Sequence, residues 1–291
     1  MKFYSLLFGC IVIAAAAFVY AARRPSTASI NDGADINASA AVADSAGAVA
    51  SGGSGAKTVP VIVELFTSEG CSSCPPADAL LSRLDRTQPV AGVEIIPLAM
   101  HVDYWNYLGW SDPFSSHEFS ERQGQYSEAY GKDGVYTPQM IVDGVTEFPG
   151  GNSGRAADAI AKAAREAKAE IQITRATEQP ATGLRLALNI KNLPKGTDGG
   201  DAYVLLAVTE SGLASDVSRG ENAGQKLTHV GVVRSLTTVG SLADARGGAF
   251  NAEPVIALAK NWRRENLRVV VFAQERGSRR ILAAASYKVG A

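Results

Sequence analysis

Residues 59–76 read Val-Pro-Val-Ile-Val-Glu-Leu-Phe-Thr-Ser-Glu-Gly-Cys-Ser-Ser-Cys-Pro-Pro, an apolar run followed by a Cys-x-x-Cys sequence. The run from Val59 to Phe66 is short, rich in β-branched residues and bounded by turn-forming residues, so it predicts a buried strand. Apolar residues then recur at helical spacing from Ala77 to Leu84 and predict a helix with one apolar face. The cysteine pair therefore lies between a strand and the N-terminus of a helix.

The spacing and position of Cys71 and Cys74 predict a redox-active pair. The dipole and the unpaired N–H groups of a helix N-terminus favour a thiolate and lower the pKa of the first cysteine. The second cysteine can then attack a mixed disulfide within the same molecule. We therefore predict that Cys71 is the nucleophile and Cys74 the resolving thiol, with Cα atoms about 4.4–6.8 Å apart. Because two prolines follow directly, the helix is expected to begin near Pro76.

Metal binding is the alternative use of such a pair. A Cys-x-x-Cys sequence is also half of a common zinc site. The chain has no second pair of this kind, and its three histidines are scattered. A copper site formed by Cys71, Cys74 and His101 stays open as an alternative, because thiolate and imidazole ligands suit copper. The main interpretation needs no cofactor beyond a redox-active Cys71–Cys74 disulfide.

The pattern downstream completes a β-α-β-α-β-β-α order over residues 59–170. Its strands are expected at Val93–Val102, Pro138–Val142 and Val145–Phe148, and its helices run from a cap at Ser115 to Tyr130 and from Arg155 to Lys168. Residues 171–291 instead show repeated short strands without intervening helices, which predict an all-β sandwich-like domain. The first half is expected to fold without the second.

Two segments resemble known thiol proteins. Val61–Cys74 resembles the first strand and active-site turn of thioredoxin, and Thr137–Gly144 is similar to the glutaredoxin segment that carries a cis-proline into the third strand. Together with His101–Trp110 and Gly220–His229, they are similar to an uncharacterised bacterial family of secreted proteins described as thioredoxin-like. The resemblance implies a thioredoxin-like fold for residues 59–170. It also implies that a cis Pro138, preceded by Thr137, faces the dithiol and positions the substrate.

Differences from the thioredoxin and glutaredoxin sequences limit which of their properties can be expected here. Ser72-Ser73 replaces the dipeptide that tunes the redox potential in those proteins, so their potential does not transfer. Glu64 interrupts the first strand near the place of the buried acid of thioredoxin. The resemblance implies a proton relay from Glu64 to Cys74, with the pKa of Glu64 raised by burial. The alternative is a strand carboxylate satisfied by a backbone or basic partner.

The segment from His101 to Trp110 holds four aromatic residues after the second strand. Sites in open α/β sheets form at this end of the strands. Tyr104, Trp105 and Trp110 are therefore candidates for a substrate platform over the dithiol, and buried packing of a loop is the alternative. His229 lies beside a strand of the second half, where a lone histidine is usually a packed or surface residue.

The N-terminus predicts export. Residues 1–22 combine a lysine with an apolar run and read as a signal peptide or an uncleaved membrane anchor. Residues 23–58 are small and polar and predict a disordered linker. We therefore expect a periplasmic or extracellular protein, in contact with a membrane only through an uncleaved N-terminal segment.

The near-neutral net charge limits the classes of binding partner that the sequence predicts. A formal net charge of −1 gives no electrostatic basis for binding nucleic acid. The expected partners are protein thiols or disulfides, or small thiols. The sequence thus predicts an exported thiol–disulfide oxidoreductase, and its alternative is a non-catalytic thioredoxin-like module that binds copper or a protein partner.

Overall fold

The part of the chain that can be described begins just before the predicted first strand. The computed structural model describes residues 58–194, 202–245 and 248–290. The predicted export segment 1–22 lies outside these ranges, as does the predicted linker 23–58 except for its last residue. Within the described ranges, no helix is long and apolar enough to span a membrane.

The predicted strand, helix and strand around the cysteine pair are confirmed. β1 (Val59–Thr67) and β2 (Val93–His101) are parallel, with their last residues Thr67 and His101 opposite each other. α1 (Pro75–Thr87) connects the two strands and begins at Pro75, one residue before the predicted start. The carboxyl ends of β1 and β2 therefore meet at the N-terminus of α1.

The remaining elements follow the predicted change from mixed α/β to β-rich structure. The other strands are β3 (Gln139–Val142), β4 (Thr146–Pro149), β5 (Glu170–Arg175), β6 (Leu184–Lys191), β7 (Ala202–Glu210), β8 (Leu213–Asp216), β9 (Lys226–His229), β10 (Val232–Ser241), β11 (Ala249–Ala252), β12 (Val255–Ile256), β13 (Leu267–Glu275) and β14 (Ile281–Lys288). The other helices are α2 (His117–Ala129) and α3 (Ser153–Ala163), with short 3-10 turns at Asn106–Leu108, Leu242–Asp244 and Arg264–Asn266.

Two helix ends differ from the sequence prediction. Ser116, not Ser115, caps α2, since its side-chain oxygen accepts a hydrogen bond from the Glu118 N–H at 3.3 Å. α3 ends at Ala163, five residues before the predicted end at Lys168. Lys168, beyond the end of the helix, contacts the carboxylate of Asp143 and the carbonyl of Pro60.

One eight-stranded sheet runs through both halves of the described chain. Its strand order is β14-β13-β7-β10-β2-β1-β3-β4. β2 and β10 are parallel neighbours, with Val232 opposite Ala99, and the Ala99 N–H donates to the Gly231 carbonyl at 2.8 Å. The predicted division between residues 170 and 171 therefore falls within a single sheet, whose strands come from both sides of it.

Helices of the first half of the chain cover both faces of this sheet around β1. Successive side chains of a strand point to opposite faces, so β1 contributes to two different cores. Val63 and Leu65 pack in one core with residues of α1 and α3, whereas Ile62 and Phe66 pack in the other with residues of α2.

The β-rich half adds a second, smaller sheet. β6 pairs with β5, β11 and β12 in this sheet. Alternate residues of β6, including Leu186 and Leu188, are buried in one apolar cluster with Val204 of β7 and Val269 of β13. The two sheets thus pack face to face, as in a sandwich, but one of them is the sheet that also carries the cysteine pair.

We expect the fragment 57–170 not to unfold cooperatively on its own, contrary to the expectation from the sequence. Phe66 shares an apolar cluster with Val270 and Phe272, which the fragment lacks. Losing them exposes that face of the sheet, at a cost of about 1.5–3 kcal/mol for each large side chain uncovered. Thermal unfolding followed by circular dichroism, with residues 57–291 as the control, measures this. A sharp transition in the fragment would show instead that the first half carries its own core.

Candidate active site

Cys71 and Cys74 form a disulfide in the turn between β1 and α1. Their Cα atoms are 5.4 Å apart, within the predicted range. Cys74 immediately precedes α1, and its carbonyl accepts the backbone N–H groups of Ala77 and Asp78 at 2.8 and 3.1 Å. The pair therefore sits at the helix N-terminus, as the sequence predicts, and the side chains of both cysteines are fully buried.

Pro138 lies at the same end of the sheet. The Thr137–Pro138 peptide is cis, as expected. β3 begins at the next residue and runs antiparallel to β1, with Gln139 opposite Phe66. A Cβ atom placed on Gly150 would lie 3.2 Å from the Pro138 Cβ and 3.1 Å from the Ala77 Cβ. Pro138 is therefore close to the first turn of α1.

Trp105 joins the cysteine turn to the Thr137–Pro138 segment. Its indole N–H donates to the Thr137 hydroxyl at 2.8 Å. Its Cβ would be 3.1 Å from a Cβ placed on Gly70, the residue before Cys71. Trp105 and Thr137 thus belong to the site by position, with their polar atoms engaged with each other.

The other aromatic candidates, Tyr104 and Trp110, also form hydrogen bonds to neighbouring side chains. Tyr104 donates to the Gln123 side chain at 3.0 Å, and the Trp110 indole N–H donates to Glu69 at 2.8 Å. Both residues are partly buried. The aromatic residue of this segment that faces solvent is Tyr107, 81% exposed, which the sequence analysis did not single out.

Glu64 does not lie with the cysteines. Its carboxylate accepts two hydrogen bonds from the Arg122 guanidinium, at 2.7 and 3.0 Å, and one from the Tyr126 hydroxyl. Arg122 and Tyr126 belong to α2, on the face of the sheet opposite α1. The contacts match the alternative considered for Glu64, a carboxylate satisfied by a basic partner, and the proton relay to Cys74 is not supported.

A different set of polar side chains lies at the carboxyl ends of β1 and β2, on the α1 side. We call it the buried polar cluster; Glu69, His101, Asp112 and His229 are buried, and Asp78 is partly buried. His101 Nδ1 lies 2.7 Å from Asp112, and His229 Nε2 lies 2.9 Å from Glu69. The two imidazole rings meet edge to face, 4.7 Å between centroids.

The charges of the buried polar cluster are tightly coupled. Burial raises the pKa of Asp78 to about 6, although the two histidines oppose that shift. Burial alone would lower the pKa of His101, but Asp112, Asp78 and Glu69 outweigh it and the pKa is raised. The same pairing with His101 keeps the pKa of Asp112 below its ordinary value despite burial. A proton added to or removed from one member therefore affects the others.

Sequence reasoning missed most of this cluster. Asp78 carries one usable signal, because it stands four residues after Cys74, one turn along the predicted helix. Glu69 and Asp112 lie in loops and have no periodic signal. His229 was assigned to packing, and only the fold places it against Glu69, 160 positions away.

Residues of the second half cover the cysteine turn. We call Gly220–Asn222 the cover segment. The Asn222 side-chain amide donates to the carbonyls of Glu69 and Cys71 at 2.9 and 3.0 Å. The Glu221 carboxylate accepts the Ser72 N–H at 3.0 Å. The cover segment thus holds the backbone on both sides of Cys71.

The alternative copper site gains no support from the geometry. Across residues 58–194, 202–245 and 248–290, no three His, Cys, Asp or Glu side chains are grouped so that they could hold a metal ion. Cys71, Cys74 and His101 are therefore not arranged as a ligand set in the disulfide form.

Fold and site together define a mixed α/β protein with a large multi-stranded sheet and a disulfide at a strand–helix junction. The chain belongs to the family described as "Protein of unknown function (DUF1223)", which matches residues 62–274. A search of proteins with curated descriptions finds no match.

Two solved structures share the architecture. A structural-genomics protein of Agrobacterium tumefaciens is 28% identical with a TM-score of 0.61, over 79% of this chain and 94% of that one. HBP35 of Porphyromonas gingivalis is 15% identical with a TM-score of 0.62, over 81% of this chain and 77% of that one. At 15% identity the second likeness concerns the fold alone.

Proposed function

We propose that this protein is an exported thiol–disulfide oxidoreductase of the thioredoxin-like class, acting through Cys71 and Cys74. The observation that carries the proposal is the disulfide at the N-terminus of α1 with Pro138 beside the same helix turn. The β-α-β-α-β-β-α order of residues 59–170 supports the thioredoxin-like assignment. The N-terminal segment supports export to the periplasm or the outside of the cell, with a membrane contact only if residues 1–22 stay attached.

The site can perform thiol exchange in two balanced steps. An incoming thiolate attacks Cys71, the S–S bond breaks, and its electron pair leaves on the Cys74 sulfur. A second thiolate then attacks the substrate sulfur of the mixed disulfide, and Cys71 leaves as a thiolate. The substrate is oxidised to a disulfide, and the protein gains two thiols.

Two features favour Cys71 as the attacking thiolate in the reverse direction. The cysteine turn lies at the N-terminus of α1, where the positive end of the helix dipole stabilises negative charge. The Ser73 hydroxyl lies 3.3 Å from the Cys71 sulfur and can donate to it once the thiolate forms. A thiolate on Cys71 is the form that reacts with protein or small-molecule disulfides.

The direct test is a redox titration of the purified protein. We expect equilibration with dithiothreitol or glutathione buffers to convert Cys71–Cys74 reversibly between a disulfide and two alkylatable thiols, counted by mass spectrometry after alkylation. A disulfide that dithiothreitol cannot reduce in the folded protein would overturn the proposal. Stoichiometric copper binding that blocks alkylation of the reduced protein would support the non-catalytic alternative.

A further inference from the structure

Thiol exchange at this site needs a proton donor, because the leaving sulfur, on Cys74, is buried. Cys74 is fully buried, and Cys71 is buried beside it under the cover segment. A thiolate released on Cys74 loses its hydration and is disfavoured unless it is neutralised. Its proton must therefore come from a group of the protein close by.

Asp78 is placed to supply that proton. Cys74 has helical backbone angles (φ −78°, ψ −38°), so Cys74 and Asp78 are one turn apart on the same face of α1. Side chains on a helix lean towards its N-terminus, so the Asp78 carboxyl leans towards Cys74. The Thr67 hydroxyl donates to that carboxyl at 3.1 Å and holds it against the end of β1.

The histidines beside Asp78 are incompletely paired. His101 Nε2 and His229 Nδ1 are buried and have no hydrogen-bond partner. Their other nitrogens are held by Asp112 and Glu69. An unpaired buried polar atom costs about 1–3 kcal/mol, and a packing role alone gives no reason to retain two of them next to a disulfide.

We infer that Asp78 donates a proton to the Cys74 sulfur when the disulfide is reduced and takes it back when the disulfide re-forms, with His101 and His229 as positioning residues that balance its charge. This inference rests on the proposed function and names a third catalytic residue for it. It assigns to Asp78 the acid role that the sequence analysis gave to Glu64.

Reduction by dithiothreitol moves one proton from Asp78 to Cys74. A dithiothreitol thiolate forms a bond to the Cys71 sulfur, the S–S bond breaks, and the electron pair goes to the Cys74 sulfur. That sulfur takes the proton of the Asp78 carboxyl, which becomes a carboxylate facing His101 from β2 and His229 from β9. The second thiol of dithiothreitol loses its proton to water and, as a thiolate, attacks the dithiothreitol sulfur bound to Cys71. Cys71 leaves as a thiolate, dithiothreitol leaves as a cyclic disulfide, and the Asp78 carboxylate regains a proton from water.

The rate of disulfide reduction should depend on pH through the same groups. The acid form of Asp78 is present below its pKa, which burial raises to about 6, with Asp112 adding to the rise and His101, His229 and Thr67 opposing it. The rate of reduction, divided by the concentration of dithiothreitol thiolate, should therefore fall as pH rises through about 6.

The test compares Asp78→Asn with Asp85→Asn, a matched change on the same helix whose carboxylate pairs with Arg268 away from the disulfide. Normalised rates are measured from about pH 5 to 8 by quenching, alkylation and mass spectrometry. We expect Asp78→Asn to be slower by about 100-fold at about pH 5 and to lose the inflection, while Asp85→Asn keeps both. The melting temperature of oxidised Asp78→Asn at about pH 7 should be equal or higher, because asparagine has no charge to desolvate.

A second variant tests the inference if Asp78→Asn does not fold. Thr67→Val keeps the shape of the side chain and removes the hydrogen bond that lowers the pKa of Asp78, so the inflection should move to higher pH. An unchanged profile in Asp78→Asn, or in Thr67→Val where only that variant folds, would overturn the inference and leave the proposed function standing. A wild-type disulfide that dithiothreitol does not reduce would overturn the proposed function itself.

Discussion

Replacing Cys71 with serine is expected to abolish thiol exchange, and replacing Cys74 with serine is expected to trap covalent adducts. Cys71 lies outside the helix, next to the exposed Ser72 and Ser73, so it is the sulfur that an incoming thiol can reach once the cover segment moves. Cys74 directly precedes Pro75 of α1, and its nearest thiol is Cys71. Only Cys74 can therefore release a mixed disulfide on Cys71 quickly.

The measurement is a gel of total cell protein, run with and without reductant. Cys74→Ser should show bands of higher mass that disappear on reduction, and Cys71→Ser and the double serine variant should show none. If iodoacetamide modified Cys74 faster than Cys71 at neutral pH, the two roles would be exchanged. If neither variant trapped a partner and neither thiol reacted in the reduced folded protein, the binding-module alternative would replace the enzyme.

Arg122→Ala is expected to cost about 3–5 kcal/mol of unfolding free energy. Arg122 is 4% exposed and donates twice to Glu64, whose side chain is fully buried. Burial alone would lower the pKa of Arg122, but the Glu64 carboxylate more than compensates and raises it. Removing the guanidinium leaves a carboxylate in the core whose remaining hydrogen bond among the described residues comes from the Tyr126 hydroxyl, and a buried charge without an ion-pair partner is strongly unfavourable.

Urea unfolding at neutral pH measures this loss. Lys132→Ala is the control, because the partly exposed Lys132–Glu147 pair should contribute no more than about 1 kcal/mol. The isosteric Glu64→Gln should keep the pH profile of disulfide reduction if the proton relay lies at Asp78. A loss below about 1 kcal/mol in Arg122→Ala would contradict the structural role of the Glu64–Arg122 pair.

The first half of the fold was predictable because its signals are local. The apolar run of β1 and the helical spacing from Ala77 to Leu84 each specify their own structure within a few residues, and the position of the disulfide follows from them. The cis Thr137–Pro138 peptide was instead expected from the resemblance to glutaredoxin. The single sheet was not predictable in this way, because β2 and β10 meet through one register pair, Ala99 with Val232.

The candidate site also combines a part with local sequence signals and a part without them. Cys71 and Cys74 are defined by spacing, whereas the partners of the buried polar cluster come from separate loops and strands. Glu64 illustrates the limit of resemblance. The resemblance implied a relay, but strand residues alternate between faces, and the Glu64 side chain points to the face of α2, where it pairs with Arg122.

The contacts of Asn222 with the cysteine turn can form only late in synthesis of the chain. It is 153 positions from Glu69 and 151 from Cys71, yet it holds the carbonyls of both. During synthesis, Cys71 and Cys74 emerge well before Asn222, so the newly made chain passes through a stage with two thiols and no cover over them. A chain cut short before Asn222 stays at that stage, open to wrong disulfides with its neighbours.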